Sequence, residues 1–210
     1  MRLYGYWRSS ASWRVRIGLH LKGIAFENVP VHLVRDGGEQ RSATHRARNP
    51  LAQVPVLELD DGRYLSQSLA ILRYLDGLVA APRLFPLDDV QAANVLMLAE
   101  VVNSGIQPLQ NLSVGQKIAS LGGNNTAWFA EVIHNGLVGL EAMAAPLAGA
   151  FLVGDEVSVA DICLVPQLYN ARRFDVDLDA FPTLRAVEAR CVALPAFQAA
   201  HPDVQPDATP

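Results

Sequence analysis

The side chains best suited to chemistry cluster near the start of the chain, in Arg8-Ser9-Ser10-Ala11-Ser12-Trp13-Arg14-Val15-Arg16. Hydroxyl groups beneath an arginine can donate hydrogen bonds to an anion, a thiolate included. The sequence shows no histidine–acid pair that would support a serine nucleophile, so Ser9 reads as a hydrogen-bond donor rather than as an attacking group. The plainer alternative is that Ser9 and Ser10 simply cap a helix, a position that serine favours. Both readings need the serines at the junction between a strand and a helix.

The flanking residues supply that junction. Leu3, Tyr4 and Tyr6 form a short apolar run, and Trp13, Ile17 and Leu21 then recur every four residues, the spacing of a helix face. Helix N-termini carry unpaired N–H groups and partial positive charge, and so favour anions. Gly23 is a stop signal. Val29, Val31 and Leu33 alternate with Asn28, Pro30 and His32 as in a strand, and Pro30 within it argues for a sheet edge or for a missing ladder bond at that point. A polar, basic stretch from Arg35 to Asn49 suggests loop with one short helix. Val56 to Leu59, the turn Asp60-Asp61-Gly62, and Tyr64-Leu65 read as a β-hairpin. Ser66-Gln67-Ser68 opens a helix with Leu69, Leu72 and Leu75 on one side and Ile71 beside them.

From Ala80 to Leu87 the chain reads as a linker, and beyond it the periodicity is helical throughout. The implied organisation is a mixed α/β domain over residues 1–79, a linker over 80–88 and an all-helical domain over 89–210. Asp88 is placed to cap a long helix through Met97 and Val101, interrupted near Gly105-Ile106-Gln107-Pro108. Asn124-Asn125-Thr126 opens a second helix, ended by Pro146 and Gly149. Ser158 and Asp161 have the spacing of a capping box, with Val157 and Ile162 placed as its hydrophobic staple. Phe181-Pro182 and Leu194-Pro195 start the last helices, and a proline-containing tail from His201 is expected to be loosely attached.

Composition excludes several classes. Half of the 210 residues are hydrophobic and 18% are charged, the balance of a chain with a sizeable core. No apolar run is long enough to cross a membrane, and the start lacks the apolar core of a secretion signal. Cys163 and Cys191 are far apart, which suggests neither a disulfide framework nor a zinc site and points to a reducing cytoplasm. A net charge of −4 implies no general affinity for nucleic acid. The five histidines lack metal-ligand spacing. From Met1 to Phe26, however, the charged residues are all basic: Arg2, Arg8, Arg14, Arg16 and Lys22. They predict a locally positive field around the serines, with Arg2 and Lys22 alternatively solvated at the surface.

The string Ser9-Ser10-x-x-Trp13-Arg14-Val15-Arg16 closely resembles the signature of zeta-class glutathione transferases, the family of maleylacetoacetate and maleylpyruvate isomerases. The run Gly105-Ile106-Gln107-Pro108-Leu109-Gln110-Asn111-Leu112-Ser113-Val114 is similarly distinctive of that class. The resemblance implies a thioredoxin-like N-terminal domain with a cis bond before Pro55, followed by an all-α C-terminal domain. It further implies a homodimer and glutathione as cofactor. Ser9 matches the family's catalytic serine, and Ser10 adjoins it at the helix N-terminus. Gln40 matches a ligand of the glycine end, Val54 a main-chain partner of the tripeptide, and Gln67 and Ser68 the pair that holds the γ-glutamyl carboxylate. Gln107, Asn111, Leu112 and Ser113 match contacts from the helical domain. Ala11 stands where the family commonly has cysteine.

The substrates that the resemblance implies are ketone-bearing cis-enedioic acids, maleylpyruvate or maleylacetoacetate. A thiolate adds to the electron-poor double bond, rotation follows, and expulsion of the thiolate gives the trans acid with glutathione regenerated. Arg8 and Arg173 match positions suited to the substrate's carboxylates and developing enolate, with Arg172 a weaker candidate. The rival readings are a transferase or dehalogenase that consumes glutathione with α-halo acids, and a non-catalytic binding module on the same fold.

Overall fold

The computed structural model describes residues 1–209; Pro210, the last proline of the tail, lies outside the described residues. The chain divides into two compact units, one formed by Met1–Leu84 together with the segment from Leu194 onward, the other by Phe85–Ala193.

The first unit begins with β1 (Arg2–Gly5), α1 (Ser10–Leu21) and β2 (Glu27–Pro30). Single 3-10 turns at Arg35–Gly37 and Glu39–Arg41 lead into α2 (Ala43–Arg48), β3 (Val56–Glu58), β4 (Tyr64–Ser66) and α3 (Ser68–Leu78). The sheet order is β2-β1-β3-β4, with β2 parallel to β1 and both other pairings antiparallel. This is the thioredoxin-like arrangement expected of the N-terminal half. Alternation along β1 splits the core: Leu3 joins Val15, Leu19, Leu57, Leu59, Ile71 and Leu75, while Tyr4 joins Val31 and Val56 on the other face. The Val54–Pro55 bond is cis, as is Ala81–Pro82.

β2 lies at the sheet edge as Pro30 implied, but it ends there instead of reaching Leu33. β1 stops at Gly5, so after the bond from the Val31 N–H to the Gly5 carbonyl the ladder has no partner, and the His32 N–H turns to the Glu39 carboxylate at 2.7 Å. The core face of α3 is Ile71, Leu72 and Leu75, with Leu69 only half-buried. Helix α1 is not a one-sided amphipathic helix, for every residue from Ser12 to Leu19 is buried, Arg14 and Arg16 included. Lys22 is no surface residue: its Nζ donates to Asp76 Oδ1 at 2.6 Å, to the Val79 carbonyl at 2.7 Å and to the Pro82 carbonyl. The Leu84 N–H bonds the same Asp76 oxygen at 2.7 Å, so the start of the linker is tied to the first unit.

The second unit is helical: α4 (Asp89–Glu100), a π-helical turn over Val101–Ile106, α5 (Leu112–Ser120), α6 (Asn125–Ala144), α7 (Val159–Arg173) and α8 (Pro182–Val192). Asp88 and Asn124 cap α4 and α6 through side-chain bonds to Gln91 N and Ala127 N. The Ser158–Asp161 capping box is complete, and Asp161 also accepts from the Leu152 N–H at 2.8 Å. Helix α5 had no counterpart in the periodicity. Its central Gly115 breaks the apolar pattern because Phe129 packs there, and a Cβ would lie 2.4 Å from that ring.

The helical unit ends at Ala193, not at the C-terminus. The chain returns to the first unit as α9 (Pro195–Ala200), which packs on α1. The tail beyond it is not loose. Asp207 accepts from the Trp7 N–H at 3.0 Å, Gln205 Nε2 donates to the Ala199 and His201 carbonyls, and the His201 ring meets the Trp13 ring at 5.1 Å.

Candidate active site

Strand directions decide which candidate residues meet in the first unit. β1, β2 and β4 all finish, and β3 starts, at one end of the sheet, as the pairs Gly5–Pro30, Tyr4–Val56 and Val56–Ser66 show. The Ser9 turn, the segment carrying Gln40, the Val54–Pro55 entry to β3 and the Gln67–Ser68 turn therefore all leave that end. Helices α1 and α3 also begin there, and neither has an acidic residue in its first turn. Partial positive charge at two helix N-termini is thus left uncompensated, which favours an anion.

Ser9 is the N-cap of α1. Its Oγ accepts from the Ser12 N–H at 3.3 Å, and its N–H closes a turn onto the Tyr6 carbonyl at 3.0 Å. The cap reading of the sequence is therefore correct, and it is compatible with the chemical one. A hydroxyl that accepts from the backbone keeps its own hydrogen to donate. Ser10, the first helical residue, is buried; Arg8 is half-buried with its guanidinium 5.0 Å from the centre of the Trp7 ring.

Gln67 turns the chain from β4 into α3 with φ 72° and ψ 113°, a left-handed backbone that a non-glycine residue adopts at a cost of about 1–3 kcal/mol. Ser68, buried at the N-terminus of α3, accepts from Arg14 Nη1 at 3.4 Å, which ties α3 to α1 behind the turn. Close approach of the helices requires Gly18, where a Cβ would stand 2.2 Å from Leu72 Cδ2. Gln40 is buried, its Nε2 donating to the Leu33 carbonyl at 3.3 Å while its buried Oε1 has no protein donor. Val54 is half-buried beside the cis bond.

Glutathione offers two carboxylates, amide groups and a thiol, and these residues suit it. An available hydroxyl hydrogen at Ser9, two helix N-termini without an acidic residue in the first turn, and an orphaned buried amide oxygen at Gln40 are what an anionic tripeptide would complete.

In the second unit, Gln107 is half-buried where the π-helical turn ends, its N–H bonded to the Val102 carbonyl. Asn111 is the N-cap of α5, accepting from the Ser113 N–H at 3.1 Å and its hydroxyl at 2.9 Å, and Asn111, Leu112 and Ser113 are all exposed. Neighbouring Gln110 is buried in a reciprocal amide pair with Gln167 at 2.9 and 3.1 Å. Arg173, exposed at the end of α7, donates to Asn170 Oδ1 at 3.0 Å and stands 5.5 Å from the Phe174 ring centre. Arg172 makes a two-pronged bond to Glu188 at 2.6 and 2.5 Å, an occupation that marks it as structural. Among the described residues no cluster of metal-ligating side chains occurs, and no helix is long and apolar enough to cross a membrane.

Sequence reasoning missed the supports of the Ser9 turn. Ser12 Oγ accepts from the Tyr6 N–H at 3.4 Å, and Gly5 leaves room for it, since a Cβ there would lie 3.1 Å from that oxygen. Arg16 Nη2 donates to the Trp7 carbonyl at 2.7 Å and its Nε to the Ala200 carbonyl at 3.1 Å. Burial lowers its guanidinium to a pKa of about 10, with the Asp207 charge opposing the shift. Arginines within an otherwise apolar helix were the available signal: on a helix buried all round, a charge must face an internal partner.

Residues 8–78 match the family model of the glutathione S-transferase N-terminal domain, and residues 137–195 that of the glutathione S-transferase C-terminal domain. The chain belongs to the glutathione S-transferase family, with the two-domain fold of its zeta class. Maleylacetoacetate isomerase of Rattus norvegicus is 49% identical over 98% of this chain and 94% of its own length. The crystal structure of maleylacetoacetate isomerase from Anaeromyxobacter dehalogenans 2CP-1, with glutathione bound in its active site, is 51% identical. Its TM-score is 0.89, covering 99% of this chain and 97% of that one. A bacterial maleyl pyruvate isomerase of the zeta class superimposes with a TM-score of 0.94 at 38% identity, over the whole of both chains.

Proposed function

We propose that this protein is a glutathione-dependent cis–trans isomerase that converts a ketone-bearing cis-enedioic acid, maleylacetoacetate or maleylpyruvate, into its trans isomer. The observation that carries the reading is the Ser9 hydroxyl, held at the N-terminus of α1 with its hydrogen still to give, at the sheet end where α3 also begins. Isomerases of both substrates among the full-length relatives support it.

Glutathione, when bound, supplies a thiolate that adds reversibly to the electron-poor double bond. Ser9 donates to that sulfur. A free thiol has a pKa of about 8.5, and a charge-assisted hydrogen bond contributes on the order of 1.5–3 kcal/mol, so Ser9 lowers the pKa by about one to two units. Ser10 and the N–H groups of the first turn of α1 add their dipoles. Gln67 and Ser68 hold the γ-glutamyl carboxylate at the N-terminus of α3, Gln40 takes the glycine end and the Val54 main chain pairs with the tripeptide. Gln107 and the Asn111–Ser113 run supply the helical domain's contacts. Arg8 and Arg173 bind the substrate's carboxylates and neutralise charge that develops toward its ketone. The protein works as a homodimer in the cytoplasm, in the breakdown of aromatic compounds.

Charge selectivity tests this reading. Replacing Arg8 or Arg173 by Met lowers kcat/KM for maleylpyruvate by roughly 30- to 1,000-fold, the equivalent of about 2–4 kcal/mol at the transition state, and leaves a neutral aryl halide much less affected. Equal losses on both substrates overturn the assignment of the acid-binding arginines.

A further inference from the structure

The turn that carries Arg8 and Ser9 is braced from outside its own segment. It runs from Tyr6 to Ser9, closed by the bond from the Ser9 N–H to the Tyr6 carbonyl. Trp7, its second residue, has both peptide groups engaged. Its N–H donates to Asp207 Oδ2 at 3.0 Å, and its carbonyl accepts from Arg16 Nη2 at 2.7 Å. Peptide groups are planar, so the backbone has only two soft torsions per residue. Fixing the planes on both sides of Trp7 therefore fixes its torsions, and with them the direction in which Arg8 and Ser9 leave. Both anchors belong to one assembly: Arg16 is itself held by the Ala200 carbonyl, and Asp207 lies on the tail that follows α9. That tail is bound along its length by Gln205, whose amide spans the Ala199 and His201 carbonyls, and by the His201 ring on Trp13.

We infer that Asp207 and Arg16 are positioning residues for the catalytic turn, so that a segment 198 residues beyond Ser9 sets how well the Ser9 hydroxyl is aimed at the sulfur of glutathione. The inference rests on the function proposed above. A hydrogen-bond donor stabilises a thiolate only when it points at it, and a misplacement of about 1 Å is worth up to about 100-fold in rate. Arg16 also has to stay in place because it is fully buried: without its carbonyl partners it would be an uncompensated internal charge. Asp207 adds the opposite charge nearby and thereby favours the cationic form. The tail is thus one arm of a clamp on the turn, with α1 as the other.

Asp207 is the residue to change, since Arg16 variants risk failing to fold. Asp207→Ala removes the acceptor for the Trp7 N–H, whereas Asp207→Asn keeps one. The readouts are ultraviolet titration of the thiolate in the glutathione complex, hydrogen exchange of the Trp7–Ser10 amides in the ligand-free protein, and the midpoint of thermal unfolding. Expected for Asp207→Ala are faster exchange at these amides, a bound-thiol pKa moved toward that of free glutathione, and kcat/KM about 3- to 30-fold lower at neutral pH. The rate deficit closes as pH rises past the thiol's pKa, and Asp207→Asn restores most of the wild-type behaviour. An Asp207→Ala protein with a lower unfolding midpoint but unchanged thiolate titration overturns the proposal, leaving the tail a purely stabilising element. If wild type itself binds glutathione without ionising it, the underlying functional reading fails first and takes this proposal with it.

Discussion

The Ser9 hydroxyl oxygen accepts the Ser12 N–H at 3.3 Å, so the residue that caps α1 still has its own hydroxyl hydrogen to donate. Ser9→Ala should therefore have two separable effects. Loss of the cap lowers stability by about 0.5–2 kcal/mol. Loss of the donor raises the pKa of the bound thiol and slows turnover at neutral pH, with recovery in alkali. Ultraviolet titration of the complex reads the second effect, urea unfolding the first. An unchanged titration transfers the donor role to Ser10 or to the helix terminus.

The capping box of α7 is expected to act on folding alone. Ser158→Ala and Asp161→Ala should destabilise by about 1 kcal/mol or more while leaving activity per folded molecule unchanged. Burial pushes the Asp161 carboxyl up, and the bonds from Leu152, Ser158 and the local backbone oppose it. The native state then keeps that proton to higher pH than the unfolded chain does. Unfolding free energy falls as pH climbs from the ordinary carboxyl value to the raised one, and Asp161→Asn removes this slope. Urea midpoints measured between about pH 4 and pH 7 give the sign.

Arg172 and Arg173 are adjacent in sequence and should separate cleanly by experiment. Arg172 is committed to Glu188, whose carboxylate is largely buried and would be left without this partner, so Arg172→Met costs about 1–3 kcal/mol of stability and does not alter substrate selectivity. Arg173→Met shows the converse. Paired melting curves and kcat/KM values on charged and neutral substrates distinguish them.

Gly18 should be intolerant of even one methyl group. Gly18→Ala drives a Cβ into Leu72, and overpacking a buried helix contact costs about 1–3 kcal/mol. Because α1 and α3 carry the N-termini proposed to hold the thiolate and the γ-glutamyl carboxylate, glutathione affinity measured by calorimetry should fall as well.

Much of this site could be read from the chain, for definite reasons. Ser9, Gln67 and Ser68 stand at junctions where periodicity changes, and local pattern marks such junctions well. The Asp60-Asp61-Gly62 turn and the Ser158–Asp161 box announced themselves through residues whose roles are local. What stayed hidden was long-range. Lys22 with Asp76, Arg16 with Ala200, and Trp7 with Asp207 join positions 54 to 200 residues apart, and no window along the sequence contains both partners. For the same reason three of the five basic residues expected to set a positive field, Arg14, Arg16 and Lys22, proved to be internal wiring and are buried, whereas Arg2 is exposed and Arg8 half-buried. α5 was hidden by its own ligand-like opening, for Asn111-Leu112-Ser113 is a helix cap as well as a resemblance to a binding run.

The central claim is that glutathione is used and returned. The measurement is the isomerisation of maleylpyruvate, or of maleylacetoacetate, with glutathione at a small fraction of the substrate concentration, followed by assay of both the trans acid and free thiol. The expected result is complete conversion with the thiol recovered in full. Conversion that stops when product equals the glutathione supplied, with the thiol consumed, would contradict it and make this protein a transferase.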